Sequence, residues 1–259
     1  MALRERTARP AIPSLGGPAV ALDRVSKRFG EVHALDGVTL DIEPGSFTCL
    51  LGASGCGKST LLNLIAGLER PTAGSIAVEG ETALMFQEAA LLPWLTASRN
   101  VELPMRLRKV ERPERRRRAA ELLERMQLGG FAAKRPHELS GGMRQRVALA
   151  RALAQESDVL LMDEPFGALD AITRDLLHDE LERLWQATGL TIVFVTHNVR
   201  EAVRLGDRVV LLSSRPGRVA ADFHIDEPRP RRIDSPRVAA RSAEITDRLR
   251  EEVRRHGRA

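Results

Sequence analysis

Eight consecutive residues, Gly52-Ala53-Ser54-Gly55-Cys56-Gly57-Lys58-Ser59, carry the strongest chemical signal in the chain. They match the phosphate-binding loop pattern, in which glycines let successive backbone N–H groups turn toward one anion. Lys58 is then expected on the β and γ phosphates of a nucleotide, and the Ser59 hydroxyl on Mg²⁺. Gly52, Ser54, Gly55, Cys56, Gly57 and Thr60 complete the expected ATP cradle. An apolar run at 47–51 precedes the loop, and Leu61, Leu62, Leu64, Ile65 and Leu68 follow it near helical spacing. The loop therefore belongs between a buried strand and a helix whose N-terminus adds positive potential.

A second constellation is the carboxylate pair Asp163 and Glu164 after the apolar run Val159-Leu160-Leu161-Met162. A buried strand delivers such a pair to its carboxyl end, the edge at which open α/β sheets bind ligands. Asp163 is expected to hold Mg²⁺ through its water shell, and Glu164 to polarise an attacking water. Acidic pairs also serve as helix caps or solvated turns; coexistence with the phosphate loop favours the chemical reading.

Positioning these groups requires a sheet. Short alternating segments from 20 to 51 predict strands, the last of them apolar throughout and so buried on both faces. Between 88 and 139 the character changes to helix, loop and charge, including Arg115 to Arg118 beside Ala119, Leu122, Leu123 and Met126. That run reads as a solvated helix face in an inserted helical subdomain of about 88–155. A helix near 144–154, a strand at 159–162 and a helix at 173–188 closed by Gly189 come next. They are followed by a strand at 191–195, a short helix to Gly206 and a strand at 209–212. Such alternation predicts an α/β fold: a P-loop NTPase core with a mostly parallel sheet, an antiparallel β portion near the N-terminus and the helical insertion. Residues 1–18 predict a disordered tail, 19–225 the ATPase domain, and 226–259 a basic extension with a helix starting at Ser235 and Pro236. Val238, Ile245, Leu249 and Val253 share one stripe of that helix, against its own domain or a partner.

The chain has 259 residues and a formal charge of +5, a modest basic excess that fits nucleotide, anionic lipid or nucleic acid. Its two cysteines, Cys49 and Cys56, are too few for a disulfide framework and fit a reducing compartment. No run reaches the roughly 18 apolar residues of a membrane-crossing helix, so a membrane role needs another chain.

The segment Leu139-Ser140-Gly141-Gly142-Met143-Arg144-Gln145-Arg146, shortly before the Asp163 strand, resembles the signature of ATP-binding cassette (ABC) ATPases. The resemblance extends over about 20–212. It implies that Ser140, Gly141 and Gly142 grip the γ-phosphate of ATP held by the loop of another subunit, in a head-to-tail homodimer. It further implies that Gln87 contacts Mg²⁺ or the attacking water, that Asp170 meets the opposite subunit, and that His197 contacts the γ-phosphate. Phe29 stands where the family commonly stacks adenine on tyrosine, and Asn198 where an aspartate is usual; the chain has no tyrosine. The implied cofactors are ATP and Mg²⁺. The implied partners are a polytopic permease docking near Leu91-Leu92-Pro93-Trp94-Leu95 and, indirectly, a periplasmic or extracellular solute-binding protein. The implied location is the cytoplasmic face of the membrane.

Glu88-Ala89-Ala90-Leu91-Leu92-Pro93-Trp94, Ser213-Ser214-Arg215-Pro216-Gly217-Arg218 and Pro228-Arg229-Pro230-Arg231 are similar to the nitrate, sulfonate and taurine importer branch. Another cargo is the alternative. A DNA-maintenance ATPase would place a long coiled coil between loop and signature. Ser59 and Leu139 are only 139 − 59 = 80 positions apart, without sustained heptads, so no nucleic-acid partner is expected. A small-molecule kinase would leave the signature segment idle.

Overall fold

The apolar runs form strands of two sheets in the computed structural model, which describes residues 17–167 and 169–256. The tail expected at 1–18 lies, but for its last two residues, outside the described residues. In the N-terminal sheet β1 (Val20–Phe29) lies between β2 (Val32–Ile42) and β4 (Ala73–Val78), and both pairings are antiparallel. In the larger sheet, β3 (Phe47–Leu51), β5 (Thr82–Met85), β6 (Val159–Asp163), β7 (Thr191–Thr196), β8 (Arg208–Leu212) and β9 (Val219–His224) run in the order β5-β6-β7-β3-β8-β9. Its first five strands are parallel, while β9 pairs antiparallel with β8.

Alternate residues of the central strands enter two cores. Phe47, Cys49 and Leu51 pack with Leu160, Met162 and Phe194 on one face. Leu50, Leu161, Val193 and Val195 pack on the other with α1 (Lys58–Ile65) and the N-terminal sheet. Burial on both faces explains why these strands read as continuous apolar runs.

Between β5 and β6 lie α2 (Ala97–Leu107), α3 (Arg112–Arg125), two single 3-10 turns and α4 (Gly141–Leu153). The remaining helices are α5 (Ala171–Thr188), α6 (Val199–Leu205) and α7 (Pro236–His256). Within Arg115 to Arg118, Arg116 is exposed, while Arg115 pairs with Glu102, Arg117 with Glu114 and Glu121, and Arg118 with Glu114 and Glu156. Glycine in the left-handed region ends α5 at Gly189, φ 63°.

Helix α7 starts where expected, with the Ser235 hydroxyl accepting from the Val238 N–H at 3.3 Å. Val238 and Ile245 are buried and Leu249 packs against the core, but Val253 is 46% exposed. A 21-residue helix is three times as long as the seven-residue α6 it packs on, so its last turns outrun the core. The basic stretch before α7 is a staple. Buried Arg231 donates to the carbonyls of Glu227 (2.7 Å), Val203 (3.1 Å), Gly206 (2.5 Å) and Ile225 (2.9 Å). Arg229 stacks 4.4 Å from the Trp185 ring and pairs with Glu182 and Asp207.

Candidate active site

Strand β3 sits between β7 and β8 at the middle of the large sheet, and the loop 52–57 leaves its carboxyl end directly into α1. Gly57, at φ 102°, is the residue before the helix; a Cβ there would lie 2.7 Å from Leu35 Cδ2 and 2.9 Å from the Ala34 carbonyl. Both backbone shape and close approach therefore demand glycine. The Lys58 ammonium is buried and donates to the carbonyls of Gly52 at 2.9 Å and Ala53 at 3.0 Å. Cys56 is buried beside it, and burial pushes its thiol up, so it is a packing residue rather than a nucleophile.

From the next strand but one, Asp163 accepts a hydrogen bond from the Ser59 hydroxyl. Burial raises its carboxyl, and Glu164 pushes the same way against the Ser59 hydrogen bond and the Lys58 charge. A partly desolvated carboxylate beside a hydroxyl is a hard-oxygen set that a cation would relieve. The described residues contain no cluster of three or more His, Cys, Asp or Glu able to hold a metal alone. Mg²⁺ is typically bound through one or two carboxylates together with substrate phosphates and water.

Glu164 is held at φ 42°, its N–H donating to the Val195 carbonyl at 3.0 Å. This left-handed backbone, uncommon outside glycine, turns the side chain from the end of β6 toward that of β7. There Glu164 Oε2 lies 3.0 Å from His197 Nδ1. Asn198 fills the aspartate-like position by capping α6, its Oδ1 accepting from the N–H groups of Arg200 (3.0 Å) and Glu201 (3.4 Å).

Gln87 is exposed just beyond β5, at the same sheet edge, and its carbonyl accepts from Gln145 Nε2 at 2.6 Å. Arg151 likewise donates to the carbonyls of Ala89 and Ala90, so α4 grips the segment carrying Gln87 at three carbonyls. Phe29 ends β1, 47% exposed, with the Lys27 ammonium 4.8 Å from its ring centre.

Ser140 caps α4 by accepting from the Met143 N–H at 3.3 Å, and Asp170 caps α5 by accepting from the Thr173 N–H at 2.9 Å. That N–H also holds the Asp170 carboxyl below its usual range. The two caps adjoin: a Cβ on Gly142 would meet Leu169 at 3.2 Å and Thr173 at 3.7 Å. Ala168, within this stretch, lies outside the described residues. Among the described residues no hydrogen bond joins Ser140, Gly141, Gly142 or Asp170 to the loop 52–60.

Trp94 is 66% exposed, which settles it as a surface residue. Fully buried Asn100 fixes the segment behind it, its amide oxygen accepting from Leu92 N–H (2.8 Å) and its amide nitrogen donating to the carbonyls of Leu92 and Leu95.

One cluster escaped sequence reasoning. Behind His197, Glu201 accepts from the Thr196 hydroxyl and lies 2.7 Å from His178 Nε2, while Arg204 lies 3.3 Å from His178 Nδ1 and pairs with Asp175 and Asp179. The apolar alternation of α5 gives no sign that His178 faces inward; its partner is 23 positions away.

The chain matches the ABC transporter family over residues 35–167. It is 47% identical over 247 residues to the aliphatic sulfonates import ATP-binding protein SsuB 1 of Mesorhizobium japonicum, covering 93% of this chain and 92% of the relative. The chain belongs to the ABC transporter family. Another relative, the taurine import ATP-binding protein TauB of Rhizobium johnstonii, is 45% identical over 88% of this chain and 90% of its own. The solved dimer of the ATP-binding cassette MJ0796 in a post-hydrolysis state, bound to ADP and Pi, superposes with a TM-score of 0.73 at 36% identity, covering 81% of this chain and all of that one. The ABC protein described here is thus an ATP-binding subunit, an ATPase coupled to transport, and its fold is the P-loop cassette expected from sequence. No described helix is long and apolar enough to cross a membrane.

Proposed function

We propose that this ABC subunit powers import of a small organic sulfonate or taurine by hydrolysing ATP between two copies of itself. The cargo reading is supported by the 47% and 45% identical relatives named for sulfonate and taurine import. In it, the loop 52–59, with Thr60, clasps the phosphates, Lys58 turning from the Gly52 and Ala53 carbonyls to the β and γ oxygens, while Phe29 stacks adenine. Mg²⁺ would be held by Ser59, Gln87 and Asp163, and supplies charge neutralisation across the phosphates when bound. Glu164 accepts the proton of the attacking water, the β–γ bridging bond breaks to give ADP and phosphate, and His197 holds Glu164 in line while facing the γ-phosphate.

The separation of the Ser140–Asp170 caps from the loop in one chain supports a second copy as their source. Ser140, Gly141 and Gly142 of each copy then close over the other's ATP, with Asp170 at the contact. Gln145 and Arg151 carry the rearrangement from the signature helix to the Gln87 segment and on to exposed Trp94, where a permease docks at the cytoplasmic face of the membrane.

The observation that carries the hydrolytic reading is the 3.0 Å contact of Glu164 with His197, at the sheet edge where Ser59 meets Asp163. Glu164→Gln in the assembled transporter should lower ATP turnover by about 10² or more, the scale of a lost general base, abolish sulfonate uptake and leave ATP-stabilised dimers. Turnover within a few-fold of the parent refutes the assignment of Glu164.

A further inference from the structure

The segment Ser213-Ser214-Arg215-Pro216-Gly217-Arg218 lies outside the catalytic scheme, although it follows β8 at the ligand edge of the sheet. Its backbone is closed on itself: Ser213 N–H donates to the Arg218 carbonyl (2.9 Å), Arg218 N–H to Ser213 Oγ (3.0 Å), and Ser213 Oγ to the Pro216 carbonyl (3.0 Å). It is also tied to β2, by Gly217 N–H on the Ala34 carbonyl (2.9 Å), Asp36 N–H on the Gly217 carbonyl (3.0 Å) and the Arg218–Asp36 ion pair. A turn anchored at both ends is a rigid platform.

The platform bears on the phosphate loop along its length. A Cβ on Gly52 would lie 2.9 Å from the Leu212 carbonyl where β8 runs into the turn. Arg215 Nε and Nη2 each donate to the Gly55 carbonyl at 3.3 Å. One peptide further on, a Cβ on Gly217 would lie 2.2 Å from the Cys56 carbonyl, so only glycine permits the approach. Two successive loop carbonyls thus face the turn. Because a trans peptide is planar, fixing a carbonyl fixes the opposite direction of the next N–H. The arginine has no competing duty: among the described residues Arg218 pairs with a carboxylate and Arg215 does not.

We propose that this turn, with Arg215 as its reaching group, positions the phosphate loop from behind, so that the peptide planes after Gly55 and Cys56 are set before nucleotide arrives. This rests on the reading of 52–59 as the ATP phosphate cradle. Arg215 is a positioning residue: it touches the loop on its carbonyl side, away from the catalytic groups at the ends of β6 and β7.

The test uses full-length Arg215→Ala and Arg215→Lys, with the parent and Lys58→Ala as references, titrated with ATP and ADP at low and high KCl. A hydrogen-bonded brace lost from an exposed site should weaken ATP and ADP binding alike, by roughly three- to tenfold. It should raise KM with kcat held within about twofold, since ground state and transition state lose the same support. Arg215→Lys should recover part of the loss, and the ratio of parent to variant affinity should stay constant as salt rises. Unchanged affinity in Arg215→Ala overturns the proposal. So does a loss that vanishes at high salt, the mark of a long-range charge effect, or a loss matched by a fall in melting temperature. If Lys58→Ala binds ATP as well as the parent, it is the cradle reading that fails instead.

Discussion

Replacing Glu201 by alanine would remove the carboxylate at the centre of the polar cluster behind His197. Glu201 is 6% exposed and fully buried His178 lies 2.7 Å from it, with the Thr196 hydroxyl on its second oxygen. Two hydrogen bonds to a buried charged acceptor, at about 1.5–3 kcal/mol each, put the loss near 3–6 kcal/mol. Arg204 limits the damage, since it keeps Asp175 and Asp179. A loss of about 3–5 kcal/mol is a fifth or more of a typical domain's stability, so the variant is measurable but marginal.

The functional consequence follows from Thr196. Its hydroxyl oxygen accepts the Asn198 N–H at 3.0 Å while its proton goes to Glu201, so the carboxylate fixes the turn that presents His197. Urea unfolding should show a lower midpoint with unchanged slope. ATP turnover at a temperature where the variant is folded should fall by more than the unfolded fraction explains, and Glu201→Gln, which keeps one acceptor, should lie between. A stability change under about 1 kcal/mol, or turnover that tracks folded fraction alone, would refute the linkage of this cluster to His197.

Two further outcomes concern stability. Arg231→Met should cost about 3 kcal/mol, because four backbone carbonyls lose their donor and only some regain water. Thermal unfolding should drop by roughly 6–12 °C, and a drop under about 2 °C would mean that the extension does not depend on this staple. The Glu114 carboxyl is lowered to about 2 by hydrogen bonds from Arg117 and Arg118. A depressed carboxylate contributes stability above its unfolded value near 4.5, lost as pH falls toward about 2. Glu114→Gln should therefore flatten the acid slope of stability in that window, weakly and less so in salt; an unchanged slope would show that the pair is fully screened.

What was legible in the sequence was whatever lies within one element or one junction. The loop 52–59 and the pair Asp163–Glu164 each follow an uninterrupted apolar strand, so local order placed them at one sheet edge. Two edge strands, β4 and β9, were not legible. In β4, Ala73 to Ser75 are exposed and no residue is buried, and β9 pairs on one side only, so neither carries a clear alternation. The fate of the basic stretch before α7 was not legible, because composition cannot tell a solvated arginine from Arg231, whose guanidinium is spent on carbonyls of two parts of the chain, 203–206 and 225–227.

The contact of Glu164 with His197 was legible only as two residues ending two strands; that β6 and β7 are neighbours is a fact of sheet order. Sheet order also bears on the half-site reading. Among the described residues, the polar side chains from elsewhere in the chain that meet the loop 52–60 are Asp163, at the carboxyl end of β6, and Arg215, in the turn after β8. Ser140, Gly142 and Asp170 instead form their own corner at the starts of α4 and α5, with Gly142 packed on Leu169 and Thr173. Ser140 and Gly141 are exposed at the start of α4, where a helix N-terminus carries positive potential, and among the described residues no hydrogen bond joins them to a carboxylate. A corner at a helix start, held by packing apart from the loop 52–60, is what the proposed head-to-tail pair of subunits requires. Gly142→Leu tests that arrangement: it should leave ATP binding to the isolated subunit intact while preventing ATP-stabilised dimers, and equal loss of both would place the corner in the same site as Lys58.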